Sequence, residues 1–285
     1  MLNFPIVDTH LHLWDPKKLR YPWLDEIPLL NKPYLLSDYN DAVGSHQVDK
    51  TVFLQCECDP SQYKQEAQWV TELAQTDPRI EGIVPWAPLE KGDGAREELE
   101  ALAQNKLIKG IRRIIQFEPS VEFCLQPDFV RGVQMLADFD FHYEICIKGD
   151  EQFANTIKLV QQCPNVRFIL NHIGKPFIAA SITEPWQTYV KELAALPNAW
   201  CKMSGVTTEA DTDAWTPEDL QPYIDGVIQH FGWDRLIFGG DWPVVLLAGE
   251  YPGWVETLNA AIDGCSETEK RKLFRDNAIA FYQLG

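Results

Sequence analysis

With 285 residues, 45% of them hydrophobic and 24% charged, the chain has the composition of an ordinary globular protein, which excludes a disordered one. No apolar stretch approaches the roughly 20 residues that a membrane-spanning helix needs, so no membrane partner is expected. The formal net charge of -17, from 42 acidic against 25 basic residues with no basic cluster, argues against a nucleic-acid partner.

Short β-type runs alternate with helical patterns from one end of the chain to the other, which is the signature of a parallel α/β fold. The β-type runs fall at residues 4–9, 50–55, 82–86, 108–115, 141–147, 166–171, 199–203 and 236–240. That is the number of strands that closes a barrel, and barrels of about 250 residues are routinely one domain. Helical patterns cover 94–105, 127–138 and 151–163. Thr216-Pro217 and Ser266-Glu267-Thr268-Glu269 start two more, by a capping hydroxyl before a first-turn proline and by a capping box. No repeat or flexible linker divides the chain, so residues 1–285 read as a single TIM-like (β/α)8 barrel domain. Two irregular segments, 14–32 and 171–186, follow the first and sixth strands and are expected to shape a pocket.

Three strands end on groups that handle metals or protons. The first delivers His10 and His12, which stand two apart and so share a face; the sixth delivers His172; the eighth delivers Asp241. Carboxyl ends of barrel strands are where catalytic residues collect. Together the four suit one divalent ion, zinc above all, with an open position for water. They equally suit a metal-independent site in which imidazoles polarise a carbonyl while Asp241 takes a proton from water. His142, at the start of its strand, and His46 and His230, in helix-like segments, are expected to be structural or solvated.

Strand four carries Arg112 and Arg113, which must face opposite sides, and one of them is expected to bind an anionic or strongly polar group. Gln55 and Glu57, ending strand two, suit substrate hydroxyls or a strand cap. Trp242 either walls the pocket or packs in the core. The seven cysteines form no regular framework, and Cys56-Glu57-Cys58 has no second pair to complete a metal site. The chain runs straight into strand one without a signal peptide, so the cytoplasm is the expected location; a homo-oligomer is left open.

Val7-Asp8-Thr9-His10-Leu11-His12, Gly110-Ile111-Arg112, Asn171-His172-Ile173-Gly174-Lys175-Pro176, Lys202-Met203-Ser204-Gly205 and Phe238-Gly239-Gly240-Asp241-Trp242-Pro243 together resemble the amidohydrolase superfamily. More narrowly they resemble its sugar-acid lactonase branch, L-fuconolactonase-like and related to 2-pyrone-4,6-dicarboxylate lactonase. The resemblance implies a somewhat distorted barrel that hydrolyses a lactone, a role in carbohydrate metabolism. It implies that His10, His12 and His172 are the strand-one and strand-six histidines, that Asp241 activates water, and that Arg112 and Lys175 bind polar or anionic substrate groups. Binuclear members carry a bridging lysine or glutamate on strand four and a histidine closing strand five. Here those places hold Arg112 and Arg113 and Ile147-Lys148, which leaves one metal or none. The rival readings are a metal-dependent decarboxylase of an unsaturated or aromatic acid, and a catalytically silent barrel that binds a sugar acid.

Overall fold

In the computed structural model, which describes residues 2–285, parallel strands β1 (Ile6–Leu11), β2 (Val48–Leu54) and β3 (Ile80–Val84) form one sheet. A second is formed by β4 (Gly110–Ile111), β5 (His142–Ile145), β6 (Phe168–Leu170), β7 (Ala199–Met203) and β8 (Leu236–Phe238). Two seams close them into a barrel. Ile83 bridges Ile108, with Lys109 N donating to Ile83 O at 3.1 Å, and Leu11 bridges Trp242, with His12 N donating to Trp242 O at 2.8 Å. Closure leaves no strand of the described residues without a neighbour on either side.

Strand β7 coincides with its expected run, β1, β2 and β3 are offset from theirs, and β4, β5, β6 and β8 are shorter than expected, β4 most of all. Beyond Ile111 the ladder gives way to single bonds: Arg112 N donates to Pro85 O at 2.9 Å, where Pro85 has no N–H to return a bond, and Ile115 N donates to Cys146 O at 3.3 Å. The expected strand over 108–115 is therefore two residues of ladder and an extended arm.

Helices α1 (Leu36–Ala42), α2 (Tyr63–Ala74), α3 (Arg96–Ala103), α4 (Pro127–Gln134), α5 (Asp150–Gln162), α6 (Trp186–Ala194), α7 (Pro217–Phe231) and α8 (Tyr251–Ala261) follow the strands in turn. Short α9 (Glu267–Arg271) and α10 (Asn277–Tyr282) end the chain. The helix starts expected at Thr216 and Ser266 are present, and both carry a capping box. His230 lies in α7 as expected, whereas His46 sits in the turn after α1 and not in a helix.

Phe281 and Tyr282 of α10 pack with Val7, Val52, Val84 and Ile237 and seal the amino-terminal end of the barrel. Just above that seal two ionisable side chains meet, both wholly buried: Lys202 Nζ lies 2.9 Å from Glu144 Oε2. Tyr282 OH also donates to Glu144, at 2.6 Å, and Lys202 Nζ donates to Thr9 O at 2.9 Å. Burial opposes the Glu144 charge, but Lys202, His142 and Tyr282 outweigh it and hold the carboxyl well below its usual range.

Removing one partner of such a pair leaves an uncompensated buried charge. Lys202→Met is expected to lower stability by roughly 3 to 5 kcal/mol in denaturant melts, and the double variant with Glu144→Gln to recover much of the loss. Equal melts for Lys202→Met and the unaltered protein would show that the pair holds nothing together.

Candidate active site

The first strand reaches its histidines through a register slip. Asp8 pairs with Thr51 but Leu11 pairs with Phe53, so β1 carries one residue more than β2 over this stretch. Val7 belongs to the inner core, and strict alternation would send His10 to the opposite face; the extra residue reverses that parity. His10 and His12 thereby come to one side as expected, with ring centroids 4.9 Å apart, and the His10 ring is 4.4 Å from that of His172.

Strand eight closes against β1 at this level. Asp8 Oδ1 accepts from His10 N at 3.0 Å and from Gly240 N at 2.8 Å, and its Oδ2 accepts from Tyr39 OH at 2.8 Å. A Cβ on Gly239 would stand 2.6 Å from His10 Cβ, and one on Gly240 would stand 2.6 Å from Asp8 Oδ2. Only glycines allow this approach. The chain then turns through a left-handed Asp241, φ 55°, which aims its carboxylate back at the histidines. After β6 the backbone is left-handed from His172 through Lys175, and both of those side chains reach the cavity.

His10 Nε2 is 3.5 Å and His12 Nε2 3.6 Å from Asp241 Oδ1, and one donor atom from each of the three residues lies within 4.8 Å of the others. His12 Nδ1 lies 2.9 Å from Leu54 O; a carbonyl only accepts, so that nitrogen carries the proton and Nε2 presents a lone pair. Both ring nitrogens of His10 are buried without a hydrogen-bond partner. A bare imidazole nitrogen and a carboxylate oxygen facing each other repel unless a cation stands between them. The donor set therefore fits one divalent ion held by His10, His12 and Asp241, with zinc suited to two nitrogens and an oxygen.

His172 stands beside this set and not in it. Its Nδ1 is 3.0 Å from Ser204 Oγ and 3.9 Å from Asp241 Oδ2, so its hydrogen bond goes to the serine. Burial pushes the His172 imidazole down to about 3, with Asp241 opposing and Lys175 and Arg112 assisting, and burial likewise holds His10 and His12 neutral. For Asp241 burial would raise the carboxyl, but His172 and His12 bring it below its ordinary value, so it is a carboxylate at neutral pH.

Above these groups opens a cavity of about 290 Å³. His12, His172, Asp241, Arg112 and Lys175 line it, and Trp14, Trp23 and Ile27 of the 14–32 segment form a wall. Trp14 is pinned by donating Nε1 to Leu30 O and Lys32 O, and Trp23 by donating to Cys56 O at 2.8 Å.

Arg112 is the arginine that faces the cavity; Nε donates to Asn171 Oδ1 at 3.1 Å and Nη1 to Gln55 O at 3.0 Å. Arg113 points away and is tied to Glu90 and Glu118. Lys175 Nζ donates to Gln116 Oε1 at 2.8 Å. Gln55 and Trp242 do not line the cavity. Gln55 is buried and donates to Arg112 O at 3.2 Å, while Trp242 is buried against Tyr34 and Tyr39. Cys56 Sγ lies 3.5 Å from His12 Nδ1 but belongs to no metal-binding group among the described residues.

His142 sits at the start of β5 as expected, buried beside Glu144 and the rings of Phe281 and Tyr282. Sequence reasoning gave no role to Asp8, Glu144, Asn171, Lys202 or Ser204. A charged residue inside an apolar strand run was the available signal for Glu144 and Lys202.

A family model for amidohydrolases matches residues 7–284. The chain is 29% identical to the L-fucono-1,5-lactonase of Burkholderia multivorans, an alignment spanning 98% of this chain and 96% of that one. It is 26% identical to the L-rhamnono-gamma-lactonase of Scheffersomyces stipitis over 100% of both chains. A crystal structure of an amidohydrolase from Burkholderia multivorans with bound zinc superposes with a TM-score of 0.87 at 27% identity, over 99% of this chain and 100% of that one. The chain belongs to the amidohydrolase family, with its TIM-barrel fold, and is a hydrolase.

With no bridging ligand for a second ion, elemental analysis of the purified protein is expected to find no more than one equivalent of divalent metal per chain. His10→Ala is expected to lower that occupancy. Two stoichiometric ions would overturn the ligand set.

Proposed function

We propose that this chain opens a sugar-acid lactone, and that Asp241 is the base that takes a proton from the attacking water. The observation that carries the reading is the convergence of His10, His12 and Asp241 at the carboxyl ends of β1 and β8, beneath a cavity that His12 and Asp241 line together with Arg112 and Lys175. The lactonase names of the two relatives support the substrate class.

In this reading Arg112 and Lys175 grip the substrate's oxygens and set its carbonyl beside Asp241. Asp241 accepts the proton as water attacks the carbonyl carbon, and its proton later goes to the ring oxygen as the C–O bond breaks. The neutral His172, with Nδ1 engaged by Ser204, offers its other nitrogen as a hydrogen-bond donor to the developing oxyanion. A divalent ion held by His10, His12 and Asp241 would supply Lewis-acid polarisation of the carbonyl. Without one, the histidines themselves polarise it, and full activity after exhaustive chelation would assign the work to them.

Gln55 and Trp242 act from behind the wall, Gln55 by holding Arg112 and Trp242 by backing Asp241. All seven cysteines are unpaired, which supports a reducing, cytoplasmic compartment for the single barrel domain.

A pH-indicator assay over a panel of sugar lactones tests the reaction, since ring opening releases acid. Proton uptake from aromatic or unsaturated acids, with every lactone left intact, would move the assignment to a decarboxylase. Asp241→Asn keeps the shape but cannot accept the proton, so kcat is expected to fall by about 100-fold or more. Near-normal turnover by the folded variant sinks that role.

Arg112→Met should lower kcat/KM by roughly 2 to 4 kcal/mol through the loss of a charged hydrogen-bond donor. Arg113→Met, removing a side chain that faces away, should be far milder. The reverse order would mean that the cavity is gripped from the other face of strand four.

A further inference from the structure

The segment after β2 places Glu57 in the cavity wall, half-buried, on a left-handed backbone with φ 52°. Gln55 clamps it twice: Gln55 Nε2 donates to Glu57 Oε1 at 2.6 Å, and Glu57 N donates to Gln55 Oε1 at 2.6 Å. Oε2 makes no hydrogen bond or ion pair among the described residues.

The other charged groups away from the histidines are already engaged. Arg112 spends N–H groups on Asn171, Gln55 and Cys146; Lys175 donates to Gln116; Glu209 pairs with Lys148 at 3.0 Å. Glu57 is thus a fixed carboxylate with an acceptor open to the cavity. Such a group accepts a hydroxyl well and opposes a second negative charge.

We propose that Glu57 is a specificity determinant which binds a ring hydroxyl of an uncharged, polyhydroxylated lactone and disfavours lactones that carry their own carboxylate. This rests on the lactonase reading above and deepens it. A neutral substrate loses nothing by meeting the Glu57 carboxylate, and its hydroxyl replaces the water that otherwise solvates Oε2. A substrate carboxylate in the same place would meet Oε2 at close range in a half-buried wall.

The test compares the unaltered enzyme with Glu57→Gln on three probes: the best aldonolactone of the panel, unsubstituted butyrolactone, and glucarolactone, which bears a free carboxylate. In Glu57→Gln the amide oxygen can keep the bond from Gln55, which turns the amine toward the cavity and exchanges an acceptor for a donor. The ratio of kcat/KM on aldonolactone to that on butyrolactone is expected to fall about 10- to 100-fold, mainly through KM, as for a lost hydrogen bond to a charged group. Relative activity on glucarolactone is expected to rise. Equal losses on all three probes would make Glu57 merely structural and overturn the proposal while leaving the lactonase reading intact. An unaltered enzyme that prefers glucarolactone would overturn it as well, and one that opens no lactone would overturn both readings.

Discussion

Glu144 lies wholly inside the barrel, and an ionised carboxylate there is tolerable only because four polar groups surround it. Lys202 supplies the counter-charge, Tyr282 a hydroxyl from the last helix, His142 an imidazole, and Asn171 an amide. Three of these partners do something else. Lys202 holds the Thr9 carbonyl, next to His10; Asn171 holds Arg112 at the cavity; Tyr282 fixes the helix that seals the barrel floor. One buried anion therefore couples the chain terminus, the first strand and the guanidinium of the candidate site.

A second constraint acts where β1 meets β8. Four things must coincide there: a register slip that turns His10 inward, an Asp8 carboxylate that gathers the amides of both strands, two glycines that permit contact, and a left-handed Asp241. None of these is a ligand question, yet each decides where ligand atoms lie. A side chain at residue 240 would displace Asp8 and with it the strand that carries both histidines. The Gly239-Gly240-Asp241 run reads, in structural terms, as the geometry that lets a carboxylate approach two imidazoles.

The sequence shows the barrel and the convergence because both follow from short-range rules. Strand ends and polar groups are local features, and the alternation of apolar runs with capped helices is visible in any window. His10, His12 and Asp241 do come together, with His172 beside them. What the sequence does not show depends on partners far along the chain. The choice between Arg112 and Arg113 is made by Asn171 and Gln55 on one side and by Glu90 and Glu118 on the other. The missing N–H of Pro85, just past β3, leaves β4 with a single bond on that side beyond Ile111, and His172 is separated from the three-residue set by Ser204 on β7's exit. Parity also misleads at β1: the two histidines share a side as the spacing says, but which side depends on a slip that alternation alone would have reversed.

The polar interior divides into two levels with opposite electrostatic characters. The lower level, Glu144 and Lys202, holds full charges that cancel, and it is sealed from solvent by α10. The upper level holds neutral imidazoles around one carboxylate and opens to the cavity. Burial makes that division: it holds the histidine protons off, so their nitrogens are available as ligands or hydrogen-bond partners, while the Asp241 carboxyl stays below its ordinary range and ionised. A protonated His10 would have no lone pair to offer a metal, and facing Asp241 at 3.5 Å it would offset that carboxylate's charge. Keeping the lower charges paired with each other, and the upper imidazoles uncharged, leaves Asp241 the one ionised group of the three-residue set and open to the cavity.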